Sequence, residues 1–160
     1  MGCMITVSVV EESVTGNIGD DWKYSIGAKA IDPAGTSVEA RPTTGRLSSP
    51  VYGSGRIAVP EHILKPGAAQ PPPKVAGVKI PAGPCGTRVR IELTLEATEV
   101  DWLIDDPGTQ KTTVAIDCPG SGKPPATVDT AVSVTVREHP KLLGGEATFT
   151  VKLRLVASCV

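Results

Sequence analysis

The stretch Thr87-Arg88-Val89-Arg90-Ile91-Glu92-Leu93-Thr94-Leu95-Glu96-Ala97-Thr98 decides the fold. Val89, Ile91, Leu93, Leu95 and Ala97 fall on one side; Arg88, Arg90, Glu92, Thr94, Glu96 and Thr98 fall on the other. Strict period two over this length describes a strand with one face on a core and the other in water. A strand covered on both faces would read as a continuous apolar run, so the alternation points to an antiparallel sheet.

The same grammar recurs outward from it. Residues 148–155 set Phe149, Val151, Leu153 and Leu155 against Thr148, Thr150, Lys152 and Arg154. Residues 131–137 oppose Val132, Val134 and Val136 to Ser133, Thr135 and Arg137. Looser strands are expected at 5–10 and 22–30, and a shorter one at 112–117. Three stretches, 4–31, 87–117 and 129–157, each read as strand, loop, strand, the grammar of a hairpin. Asp106-Pro107-Gly108-Thr109 has the residues of a type II turn. Residues 57–86 differ: they hold Pro60, Pro66, Pro71, Pro72, Pro73, Pro81 and Pro84. Proline removes ladder donors, so no central strand runs there. This stretch is read as a Pro/Gly-rich crossover between sheets or as an arm that docks on a neighbouring copy. One helical turn is expected near Pro60-Glu61-His62-Ile63-Leu64.

The chain of 160 residues is one domain's worth, 1–160, and carries 17 Gly and 15 Pro. The expected fold is all-β, an antiparallel two-sheet β-sandwich of about seven to nine strands. Only 3% of residues are aromatic, so Val, Ile, Leu and Ala fill the core. A net charge of −1 gives no basic surplus for nucleic acid. No apolar run is long enough for a transmembrane helix.

The four cysteines are Cys3, Cys85, Cys118 and Cys159. None has C-x-x-C spacing, which disfavours structural zinc. They read either as reduced core thiols or as two disulfides, with 85–118 and 3–159 the expected pairing, because Cys85 and Cys118 bracket one hairpin and the chain ends often meet. Met1-Gly2-Cys3-Met4-Ile5-Thr6 matches an acylation pattern, although Ile5 onward enters a strand. Acylation implies a reducing compartment and disulfides an oxidising one, so the compartment stays open.

Catalytic groupings are missing. Gly53-Ser54-Gly55 and Gly120-Ser121-Gly122 lack the spacing and the helix of a nucleophile elbow or phosphate loop, and nothing brings His62 or His139 to a cysteine. The expectation is no enzyme and no cofactor. The connections carry more. They hold Glu11, Glu12, Asp20 and Asp21, then Glu99, Asp101, Trp102, Asp105 and Asp106, then Glu138, His139, Leu142 and Leu143. Carboxylates beside apolar tips suit contact with a partner or a hard cation such as calcium. The contact residues named are Asp20, Asp21, Asp101, Trp102, Asp105 and Asp106.

With its strand count and its acidic Asp20-Asp21 and Asp101/Asp105-Asp106 loops, the chain resembles the C2 family of calcium-dependent, membrane-docking β-sandwiches; an immunoglobulin-like sandwich is the other architecture expected. The regular Asp-x-Asp loop and the basic strand of C2 domains are not found. That resemblance implies a calcium-dependent lipid- or partner-binding domain using the same loops. The residues themselves point first to a non-catalytic binding or assembly module, a surface or secreted domain or a subunit of a larger particle. Its partner is another protein or further copies in a homo-oligomer.

Overall fold

The structure is a computed structural model that describes residues 1–33, 51–101, 104–138 and 145–160. Its strands are β1 (Gly2–Gly16), β2 (Asp21–Ile31), β3 (Ser54–Ile63), β4 (Val78–Pro84), β5 (Arg88–Glu99), β6 (Asp106–Asp117), β7 (Ala126–Arg137) and β8 (Glu146–Cys159). One sheet has the order β4-β1-β8-β7 and the other β3-β2-β5-β6, with every neighbouring pair antiparallel. No described residue is helical. The protein is an all-β sandwich, and the alternating rows explain why. Val89, Ile91, Leu93, Leu95 and Ala97 of β5 are buried, as are Val132, Val134 and Val136 of β7. At about 25 cal/mol per Å² of apolar surface, facing these rows against each other is the main favourable contribution to folding.

The segment expected to be a turn of helix at 60–64 is extended, and Pro60 lies inside β3. The edge position explains this, because a proline there leaves no ladder bond unmade on its outer side. Pro81 and Pro84 sit likewise on β4, the edge of the other sheet. Between these strands the chain follows β1: Gly67 N–H donates to Val14 O at 3.0 Å, and Glu12 and Gln70 exchange backbone bonds at 2.9 Å.

Two of the expected hairpins form, β5–β6 and β7–β8. The stretch 4–31 does not form one; β1 and β2 lie in different sheets. Gly16 makes the departure, at φ 118°, where a Cβ would collide with the Glu146 carbonyl. The chain then crosses the sandwich to Trp22, which is wholly buried and stacks on Phe149 of β8 at a centroid distance of 5.2 Å.

Asp106-Pro107-Gly108-Thr109 is also not a turn. It opens β6, paired with Glu99 to Glu96. Gly108 serves close approach here: a Cβ would lie 2.9 Å from methyl groups of both Val134 and Val136 in the opposite sheet. This is where the flank formed by β6 and β7 closes.

All four cysteines form disulfides, but the expected pairing is wrong. Cys3 bonds Cys118 with Cα atoms 5.9 Å apart, and Cys85 bonds Cys159 at 5.4 Å. Cys3 and Cys159 do face each other across β1 and β8. Cys3, however, is buried between the sheets and meets the buried Cys118 at the end of β6. Cys85 follows β4, in the sheet opposite to β6, and so reaches β8 rather than its own hairpin. The Cys3 thiol is therefore not available to an acyl group, and the Gly2 N–H donates to Val160 O at 2.8 Å.

Candidate functional site

Strand direction gathers three connections at one end of the sandwich. β1, β5 and β7 finish there, and β2, β6 and β8 start there. Backbone bonds lock the connections to one another. Val100 N–H donates to Asp21 O at 2.8 Å, Asn17 N–H to Glu146 O at 3.3 Å, and Leu64 N–H to Asp20 O at 2.7 Å. The disulfides and both chain ends lie at the opposite end.

The named contact residues fall at this end in different settings. Asp20, Asp101 and Asp105 are exposed, and Asp105 pairs with Lys23 at 3.2 Å. Asp21 is half-buried at the start of β2. Asp106 is buried at the start of β6, opposite Glu99. Trp102 lies outside the described residues, as do His139, Leu142 and Leu143. Ile104 stands 49% exposed beside these carboxylates.

The centre of the cluster is Glu99, which was not among the named contacts. It is 4% exposed and packs under Gly19 of the β1–β2 connection. Its signal was present in the sequence: 99 continues the inward row 89, 91, 93, 95, 97, so a carboxylate occupies a core-facing position. Burial first, then the charges of Asp101, Asp106, Asp21 and Glu138, push its carboxyl up to about 7. Between the ordinary glutamate value near 4.5 and this one, the native state holds a proton that the unfolded state has released. Stability therefore falls as pH rises through that window and levels off above it. Glu99→Gln should flatten the slope and raise stability at pH 8 by about 1–3 kcal/mol. Urea unfolding at several pH values checks this; a variant that keeps the wild-type slope would remove Glu99 as its source.

A second polar group lies between the sheets. Glu12 is 1% exposed, in a segment whose sequence reads as a connection. β1 runs on to Gly16, and a bulge between Val9 and Glu11 shifts its register against β8. The bulge turns Glu12 and Val14 inward. Tyr24 Oη donates to Glu12 Oε2 at 2.6 Å, His62 Nε2 meets Oε1 at 2.5 Å, and Gln70 Nε2 donates to Oε1 at 3.4 Å. His62 Nδ1 meets Pro60 O at 2.7 Å, so both ring nitrogens already face oxygen. The group works as a fastening between β1, β2 and β3.

An open cleft on the outer face of the second sheet has Arg56 and Glu96 paired with one another. Of about 370 Å³, it lies on the β2–β3–β5 face and also contains Ser25. There Arg56 Nη2 donates to Ser25 Oγ at 2.7 Å and to Glu96 Oε2 at 2.9 Å, closing a triangle. Among the described residues, no three His, Cys, Asp or Glu side chains are arranged to hold a metal ion. No helix of the described residues is long and apolar enough to cross a membrane. The chain matches no protein-family model, and comparisons with curated proteins and with solved structures find no match.

Proposed function

We propose that the protein is a non-catalytic binding or assembly module that engages a basic surface of a protein partner through the acidic end. The observation that carries this reading is the convergence of three connections on one end, where like charges are held around the buried Glu99. Such repulsion lowers stability, and departures from local consistency of this kind concentrate at functional sites. The exposed Ile104 beside Asp105 adds an apolar contact of the sort interfaces use. A non-catalytic role is supported by the chemistry of the described residues. The cysteines are bonded to one another, and His62 has oxygen at both ring nitrogens. The two disulfides fit a surface or secreted domain, or a particle subunit outside a reducing compartment.

A labelled lysine-rich peptide is the probe. It should bind with an affinity that falls with added salt, and Asp20→Asn/Asp101→Asn/Asp105→Asn should weaken it about tenfold or more. Equal binding by wild type and variant would overturn the reading. Millimolar calcium against a chelator should leave the melting temperature unchanged. A rise that follows ln(1 + [L]/Kd) and disappears in the variant would favour a cation-dependent, C2-like domain instead.

A further inference from the structure

The two flanks of the sandwich are built differently. On one, the edge strands β3 and β4 carry Pro60, Pro81 and Pro84, and Gly67 and Gln70 bond along β1. On the other, the edge strands are β6 and β7, and β6 has no proline after Pro107. Long edges without such protection are templates for a further strand.

The backbone of β6 has a definite outward row. Cys118 N–H donates to Thr87 O at 2.8 Å, so even-numbered residues of this strand turn their polar groups toward β5. Thr109, Lys111, Thr113, Ala115 and Asp117 turn theirs away from β5, and from Lys111 onward this row lies beyond the stretch that closes at Gly108. An independent bond agrees: Gln110 Nε2 donates to the Lys111 carbonyl at 3.1 Å, the use of a side chain where no strand is paired.

We propose that two copies of this chain pair β6 against β6, antiparallel about a twofold axis at Val114, joining their β3-β2-β5-β6 sheets into one. Charge selects both the edge and the register. With Val114 on the axis, Lys111 of each copy stands opposite Asp117 of the other, and Thr113 stands opposite Ala115. Within each copy Arg88 already pairs with Asp117 at 3.2 Å, and Lys111 with Glu92 at 3.8 Å. Across the junction the charges then alternate as Arg88, Asp117, Lys111, Glu92, on the solvent face and twice over by symmetry. A lysine on an edge ordinarily discourages pairing; in this register it meets a carboxylate. Val114, half-buried in the free chain, meets its own copy in a pair without hydrogen bonds, where side chains approach most closely. The other edge offers no such match. β6 closes over β7 where Gly108 approaches the Thr135 carbonyl. Self-pairing of the remaining stretch of β7 would set Asp129 against Thr127, Asp129, Ala131 or Ser133, none of them basic.

The proposal goes beyond the reading above, since it uses the flank and not the acidic end. Sedimentation equilibrium from micromolar to millimolar concentration tests it, with circular dichroism to verify folding. The wild type should show a monomer–dimer equilibrium. Lys111→Asp alone and Asp117→Lys alone should each weaken the dimer about tenfold or more, and the two together should restore it to within about threefold. A wild type of monomer mass throughout, or a dimer indifferent to the exchanges, would overturn it. The Asp20→Asn/Asp101→Asn/Asp105→Asn protein should dimerise like wild type, which separates failure of this proposal from failure of the acidic-end reading.

Discussion

Exchanging Cys3 and Cys118 together for alanine lowers the unfolding free energy by about 4–5 kcal/mol. The bridge joins positions 115 residues apart and the other joins positions 74 apart. In the chain-entropy account, closing loops of this size stabilises by about 4–5 kcal/mol each, mainly by restricting the unfolded chain. The two loops overlap between 85 and 118, so losing both bridges costs less than the sum. Removing Cys85–Cys159 should cost less than removing Cys3–Cys118, because only the second lies buried between the sheets, where truncation also leaves a gap in the packing. Urea unfolding measures both, and its slope adds a separate readout: a chain freed of a cross-link exposes more surface on unfolding, so m should rise. A loss under about 1 kcal/mol with m unchanged would contradict the loop-closure account.

This fold was legible wherever polar and apolar residues alternate without interruption. β5 and β8 needed only their inward rows, and Leu93 and Leu153 are wholly buried. The failures have local physical causes. The Asp106–Thr109 run has turn residues, but Gly108 is used for contact with Val134 and Val136, a neighbour more than twenty positions away that no local pattern contains. The disulfide pairing depended on which sheet holds β4, and period two says nothing about sheet membership. The β1–β2 connection looked like a hairpin because a crossing between sheets uses the same Gly-rich residues as a tight return. At the acidic end, the carboxylates were visible as loop residues. That they share one end follows from strand direction, which becomes known only with the topology. Glu99 could have been found by carrying the inward row of β5 one step further. Glu12 could not, because the Val9–Glu11 bulge inverts parity and makes an apparently outward carboxylate an interior one.

Glu12 is therefore the residue for which alternation and structure predict opposite outcomes. On an outward face, Glu12→Ala would change stability by no more than about 0.5 kcal/mol. In the interior it should cost about 3–5 kcal/mol, because a buried partner of several donors is removed. Glu12→Gln is the sharper variant. The carboxylate has only acceptors; Tyr24 Oη and Gln70 Nε2 donate to it, and His62 Nε2 meets it. A glutamine offers one acceptor oxygen and one amide, so the charge that strengthens these bonds is lost, and with its oxygen toward His62 and Gln70 the Tyr24 hydroxyl must turn from donor to acceptor. The expected loss is about 1–3 kcal/mol with the shape preserved. Tyr24→Phe removes a single donor and should cost about 1–2 kcal/mol. Combining it with Glu12→Gln should cost less than the two singly, with a coupling of about 0.5–3 kcal/mol. The phenol gives a pH readout as well. Burial first, then the hydrogen bond to Glu12 and its charge, hold the Tyr24 hydroxyl well above the ordinary tyrosine range. The native state thus keeps a proton that the unfolded chain releases near pH 10, and stability should decline as pH rises beyond that point in wild type but not from this source in Tyr24→Phe. A Glu12→Gln protein as stable as wild type would mean that these three groups do not converge on this carboxylate, and the fastening of β1 to β2 and β3 would have to lie elsewhere.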